Sequence, residues 1–402
     1  MVQTRSDLKR KATDLQCSPQ FVRAEKPPDE QFEKERAFER KYGSGFIMQH
    51  PRYHQLMRGI TALITNGADE WAFDLRDLER SHQITRMVAL GWTLEYLIPD
   101  ISVLPEYQIH RLITRADGFC AQMDWAKLRS LLPPTAAAHF GDLMGELLIH
   151  LAIHERFFER PFWYLDGKRG PDDPNEDPEF ATKLQYLFER FYKTNPRYGV
   201  LWKMQTQRLA NSGICHRAQD VEFGQYNAKR HESVLAGFAD DLLASEPFCW
   251  LLRDSYPNTS PQAEKRRDEL VEVLRKGLET MIKCETWTNG QPVLRGIAEL
   301  GGVWSADKSA AKSLHPYTWR PRHELYNGQR ILFVPRPGLV YVDSLDCYGF
   351  LPQLSVADVC EAEVIPAYIP RDDEEESDTS DDDEKDGKKD VGDEEWREEK
   401  NA

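Results

Sequence analysis

Apolar residues recur at helical spacing along most of the chain between Ile47 and Glu285, and this period constrains the fold more than any other feature. Tyr53, Leu56, Met57, Ile60, Leu63 and Ile64 form one stripe, which Pro51 opens and Asn66-Gly67 closes. Ser81 is placed to cap a second helix through Ile84, Met87, Val88, Trp92 and Leu97, ending before Pro99. Pro105 opens a third, which runs to about Gly118. Pro133-Pro134 precede the strongest segment, Thr135 to Arg160, and a polar loop over 166–179 then divides the helical region into two lobes. Further helices are expected through Phe180, Leu184, Leu187, Phe188 and Phe191, from Ala228 to Ala244, and from Ser260-Pro261 through Leu270, Leu274, Leu278 and Met281.

Beyond Glu285 the pattern changes. Ile331–Val334 and Leu339–Val342 read as two β segments joined by the four-residue turn Pro335-Arg-Pro-Gly338. A hairpin is marginal alone, so it should lie against the helices or pair with another short strand. The expected fold is therefore mainly α: an irregular multi-helix bundle in two lobes, with a small C-terminal α+β part containing one β-hairpin, and disordered termini. The boundaries that follow are a polar N-terminal extension over 1–45, a helical core over 46–286, a mixed segment over 287–370 packed on the core, and an acidic tail over 371–402. With 402 residues, 40% of them apolar, the chain can bury a core without staples, since a 300-residue globule hides roughly three quarters of its unfolded surface.

Charge is uneven. Residues 371–402 hold seventeen Asp and Glu against six Lys and Arg, so this segment carries −11 of the chain's −15. Such a block repels itself and stays solvated, and the mild acidity of the remainder argues against an extended nucleic-acid footprint. Thr379 and Ser380 each have an acid three residues on, which suits phosphorylation by an acidophilic kinase. Seven cysteines, odd in number and with no C-x-x-C spacing, indicate free thiols in a reducing compartment. No apolar run suggests a secretion signal or a spanning helix, so a cytoplasmic or nuclear protein without membrane contact is expected; Lys9-Arg10-Lys11 is a short basic cluster of the kind that serves as a nuclear address.

Two constellations could carry chemistry. On the Thr135–Arg160 helix, His139, Asp142, Glu146, His150 and His154 share one face opposite Phe140, Met144, Leu147, Leu148 and Leu151. Glu146/His150 and His150/His154 are i,i+4 pairs, and imidazole with carboxylate suits Zn or Fe. His54, from the His50/His54 pair, could complete a transition-metal site with Glu146, His150 and His154. The bland reading is that a polar stripe opposite an apolar one belongs to any surface helix; H-E-x-x-H is absent, and the stripe pairs its Glu and His at i,i+4 rather than at the i,i+3 of di-iron Glu-x-x-His. The second constellation runs from His315 to Arg330, where Arg320, Arg322 and Arg330 interleave with Tyr317, Trp319 and Tyr326 and could grip an anion and stack on a planar group. Its bland counterpart is a loop whose arginines cover aromatics and pair with acids. Cys215-His216 with Asp220 reads as ordinary, because neighbours on a helix point about 100° apart and cannot form a nucleophile–base pair, and His231-Glu232 has no recognisable partner.

No phosphate-binding glycine loop, nucleophile elbow or zinc-finger spacing occurs. The expected role is a non-catalytic intracellular protein-interaction or regulatory protein whose acidic tail meets basic partners, with no cofactor. The alternative is an enzyme with a pocket between the helical lobes that uses the His/carboxylate stripe, with or without a metal. The two part on whether the His139–His154 stripe faces solvent or a closed cavity.

Overall fold

The computed structural model describes residues 75–368 apart from 169, 171, 216–219, 254–259, 288–290, 307–311, 319–325 and 347–352. Packing divides the chain into Met1–Ala72 and Phe73–Ala402, and every described residue belongs to the second unit. The helix expected over Tyr53–Ile64, the pair His50/His54, Lys9-Arg10-Lys11 and the acidic tail with Thr379 and Ser380 lie outside the described residues.

Nine α-helices occur among the described residues: α1 (Leu75–Tyr96), α2 (Glu106–Arg115), α3 (Trp125–Leu131), α4 (Pro134–Ala138), α5 (Phe140–Ile153), α6 (Phe180–Thr194), α7 (Pro196–Ala210), α8 (Glu222–Ala244) and α9 (Pro261–Trp287). The fold is mainly α, as the helical period predicts. Six strands follow: β1 (Gln291–Arg295), β2 (Lys312–Leu314), β3 (Ile331–Arg336), β4 (Gly338–Asp346), β5 (Gln353–Cys360) and β6 (Ala362–Pro366).

Helix α5 lies at the centre. Residues 140 to 151 are all buried, so this helix is enclosed rather than a surface helix with one wet face. The single helix expected from Thr135 to Arg160 is in fact two. His139 leaves helical geometry at φ −113° and ψ 23°, and the helix closes in a π turn over His154–Phe158. The break lets Gly141 N–H donate to Pro99 O at 2.6 Å. A side chain at Gly141 would collide with the Ile98 and Pro99 carbonyls, so only glycine allows that approach.

Helices α1 and α9 pack antiparallel beside α5. Ser81 Oγ meets Thr280 Oγ1 at 2.9 Å, Trp92 Nε1 donates to Arg266 O at 2.9 Å, and Tyr96 OH donates to Glu269 Oε2 at 2.9 Å. Ser81 lies inside α1 and is thus an interior contact, not the expected cap. Its orientation is also unexpected. Met87 and Ile84 face outward, 71% and 40% exposed, while Ser81, His82, Thr85 and Arg86 are buried. That exchange is stable because a polar cluster waits on the inner side.

The largest core unites α1 to α5 with α8 and α9. Phe162, Tyr164, Leu165, Phe188 and Ala210 form a satellite core with α6 and α7, which draws on residues from both sides of the 166–179 loop. That loop is anchored by its first residue: Asp166 accepts from Tyr226 OH and pairs with Arg230 at 3.3 Å.

The C-terminal part departs from the expected hairpin. β3 and β4 are both present, but they do not pair with each other. β3 pairs antiparallel with β6, whose other edge takes β2 in parallel, while β4 lies between β1 and β5, antiparallel to both. The chain passes from β3 through Pro337 into β4 without reversing, and from β5 through Glu361 into β6. The result is one long two-stranded ribbon folded at a corner, where Leu339 faces Cys360 on one side and Arg336 faces Glu363 on the other. The Pro-Arg-Pro-Gly run that reads as a turn is that corner. Proline supplies no N–H to a ladder, and Gly338 sits where a side chain would press on Ala362 N.

Candidate functional site

The polar face of α5 is buried against the inner face of α1 and the ribbon corner. His139 Nδ1 hydrogen-bonds Asp142 Oδ2 at 2.9 Å, and burial raises the Asp142 carboxyl above its ordinary value. One turn on, Glu146 is wholly buried and its Oε1 accepts from Arg336 Nε at 2.6 Å. Arg336 Nη1 also donates to Glu363 Oε2 at 2.7 Å, so one guanidinium bridges two carboxylates across the sheet edge. Burial pushes Glu146 up to about 7 even with this partner, because removing a carboxylate from water costs more than one shared guanidinium returns.

His150 is buried one further turn along, with ring centroids 6.0 Å from His82 on α1. Burial and the Arg86 and Arg336 charges hold His150 down at about 3, and burial with Arg86 and His150 holds His82 well below the usual imidazole range. Both rings are neutral at pH 7. Their Nε2 atoms have no hydrogen-bond partner among the described residues. His154 sits at the π turn, half-buried, with Nδ1 3.5 Å from Glu159 and Nε2 3.4 Å from Pro292 O.

Arg86 completes the arrangement. Its Nη2 donates to Pro337 O at 2.6 Å and to Glu361 O at 2.9 Å, so the two corner residues of the ribbon are tied to α1 by one buried guanidinium. No local signal marks this role; Arg86 reads as a charge on an amphipathic helix. Sequence reasoning likewise passes over His82, Arg336 and Glu363, each of which acts on a residue far away in the chain.

A cavity of about 10 Å³ lies between His82, His150 and Thr280 on the helical side and Leu294, Pro337 and Leu339 on the sheet side. That is room for about one water molecule. Of the stripe singled out from sequence, Asp142, Glu146 and His150 are buried, while His139 and His154 are half-buried. Among the described residues no three His, Cys, Asp or Glu side chains converge closely enough to hold a metal ion; Glu146, His150 and His154 do not form such a group, and His54 lies outside the described residues.

The second constellation is only partly described. Trp319, Arg320 and Arg322 lie outside the described residues. Arg330 is exposed, and its carbonyl accepts from Ala367 N at 2.9 Å. The near end turns inward: His315 is buried and held down at about 3 by burial and by Arg336, and its ring lies 5.0 Å from that of Tyr317. Tyr317 in turn lies 5.0 Å from His139. Of the other residues considered, His231 is core, edge-on to Tyr164 at 4.4 Å, and Asp220 is exposed and accepts from Glu222 N. Among the described residues, Cys120, Cys249, Cys284 and Cys360 take part in no disulfide. No helix among the described residues is long and apolar enough to cross a membrane.

A mainly α body closed by a folded β ribbon, with a neutral histidine pair and a two-carboxylate, two-guanidinium cluster at their junction, is the class that the coordinates define. No known protein family, characterised protein or solved structure matches the chain.

Proposed function

We propose that this is a non-catalytic intracellular protein-interaction or regulatory protein, cytoplasmic or nuclear, whose acidic segment engages basic partners. The observation that carries the reading is the concentration of −11 net charge in residues 371–402. A field of that density attracts basic surfaces over a Debye length and weakens as salt rises. The buried polar cluster supports a structural role for the His/carboxylate stripe. Glu146 Oε1 is bound to Arg336, and the cavity beside His150 measures about 10 Å³. Purified core histones are a suitable basic probe. Full-length chain should bind them at low salt, and a chain ending at Arg371 should lose most of that binding; equal affinity of the two chains refutes the reading.

The alternative is an enzyme that uses Glu146, His150 and His154, with His54 as a further ligand if a metal is involved. What favours it is the clustering of strongly shifted groups, Glu146 upward and His150 downward, at one closed position. Elemental analysis separates the two: a stoichiometric transition metal that disappears in His150→Ala supports the enzyme, and a metal-free protein removes its metal-dependent form. For the anion site, loss of nucleotide or phosphopeptide affinity in Arg320→Ala with Arg322→Ala would support a ligand role for Trp319, Arg320, Arg322 and Arg330.

A further inference from the structure

Helices α6 and α7 form a basic hairpin in an acidic chain. Residues 180–210 hold six Lys and Arg against one Glu, a net +5 in a protein whose total is −15. Helix α7 contains no acid at all. The acids in and just before α6 are already engaged: Asp177 and Glu179 pair with Lys183, and Glu189 accepts from Gln185 Nε2. Among the described residues Arg190 and Lys193 have no carboxylate partner, and both are exposed.

The exposed face is also apolar. At about 100° per residue, Leu187, Arg190 and Phe191 share one side of α6, and Leu187 and Phe191 are exposed. On α7, Tyr198, Trp202 and Leu209 fall within about 40° of one another, and Tyr198 and Leu209 are exposed. The two faces meet where Phe191 lies edge-on to Trp202, 5.3 Å between ring centres. Gly199 allows that approach, because a Cβ there would come within 2.6 Å of Tyr192 N on α6. Contiguous exposed apolar surface with a polar rim marks a docking face.

The chain itself carries the complement. Residues 371–402 contain one aromatic, Trp396, set between Asp393-Glu394-Glu395 and Glu398-Glu399. A ring flanked by five carboxylates matches an aromatic strip flanked by cations. Reach is not limiting: Asp393 lies 25 positions beyond Tyr368, the last described residue. Such a stretch spans up to about 80 Å when extended, about twice the length of the 27-residue α9. Being tethered, the segment is presented at roughly millimolar effective concentration. A second copy of the hairpin is a poor occupant, since a two-fold contact sets like-charged patches against each other.

We propose that the α6–α7 face is a docking surface for this chain's own segment Asp393–Glu399: the Trp396 ring packs on Leu187, Phe191 and Trp202, and the flanking carboxylates pair with Arg190 and Lys193. A basic partner would compete with this contact, but the contact needs no partner, so its test and the histone test fail separately.

Zero-length carbodiimide coupling of the full chain at low salt, read by mass spectrometry of the monomer band, tests it. Lys127 on α3 and Lys229 on α8 are exposed references; Lys127 lies close to the point where Tyr368 N donates to Leu131 O and the described chain ends. Lys193 should couple to carboxylates of 393–399 at about fivefold or more the yield of either reference. Trp396→Ser leaves every carboxylate and lysine in place and should remove that preference; Trp396→Phe should keep most of it, and Arg190→Glu should weaken it. Coupling spread evenly over Lys127, Lys193 and Lys229, or a Trp396→Ser chain with the parent's preference, overturns the proposal. Cross-links confined to the dimer band assign the face to a second copy and overturn it too. So does a free chain without the Lys193 cross-link whose α6–α7 residues instead bind a single-stranded oligothymidylate, which would hand the face to nucleic acid.

Discussion

Arg336 Nε lies 2.6 Å from Glu146 Oε1 across 190 residues of sequence, and both side chains are buried. This contact joins the ribbon to the central helix. Its value depends on completeness, because each charge makes the other tolerable in a place that water does not reach.

Removing one partner should cost more than removing both. Arg336→Met leaves Glu146 and Glu363 without their shared cation, and unfolding in urea should show a loss of about 3–5 kcal/mol. Glu146→Met combined with Arg336→Met should recover much of that loss. A double variant as unstable as the single one would place the stabilisation elsewhere.

Stability should fall with acid. His82, His150, His231 and His315 are all held below the ordinary imidazole value by burial, the last three to about 3, 4 and 3. Their stabilising contribution is full above the unfolded value near 6.5 and is lost as pH drops toward those folded values. Glu146, raised to about 7, acts oppositely: its contribution is full below its unfolded value and fades as pH rises through 7. Asp142, also raised by burial, acts in the same direction as Glu146; four groups outweigh two, so the midpoint of thermal unfolding should decline from pH 7 to pH 4, as scanning calorimetry can record.

Arg86 should matter to the sheet more than its place on α1 suggests. Arg86→Leu strips the Pro337 and Glu361 carbonyls of their common donor, and hydrogen bonds from charged groups contribute about 1.5–3 kcal/mol each. Denaturant curves should show a loss of about 2–4 kcal/mol, and amide exchange near the corner should rise first.

Two helical glycines should respond in opposite directions. Gly141→Ala drives a methyl group into the Ile98 and Pro99 carbonyls and should destabilise by about 1–3 kcal/mol. Gly91→Ala, on an exposed turn of α1 with open space around it, should stabilise by about 0.5–1 kcal/mol. Paired thermal melts provide the comparison.

Helix content was legible because apolar spacing is a local property; α9 begins at Pro261, with Ser260 Oγ accepting from Ala263 N as a cap should. Helix α7 escaped notice although Asn195-Pro196 carries the same signature, with Asn195 Oδ1 accepting from Tyr198 N. The face that each helix buries was harder to read. Period shows which residues share a side, not which side meets solvent, so Met87 reads as core and Arg86 as surface when the reverse holds. The stripe on α5 was visible as a pattern, but its meaning depends on Arg336 and His82, whose proximity no spacing rule encodes. Pairing of β3 failed for a related reason: the nearest strand in sequence is β4, whereas the better partner lies some thirty residues on, where β5 and β6 match both arms at once.

The position of β6 has a temporal consequence. It is the middle strand of its sheet, yet it comes after every other described element. Any chain severed ahead of Ala362 would strand β2 and β3 with exposed backbone edges, inviting association with other copies. Assembly of this sheet thus waits on synthesis: the piece that unites β2 and β3 is made after both, and closure needs contacts between distant parts of the polymer, which are slow to form.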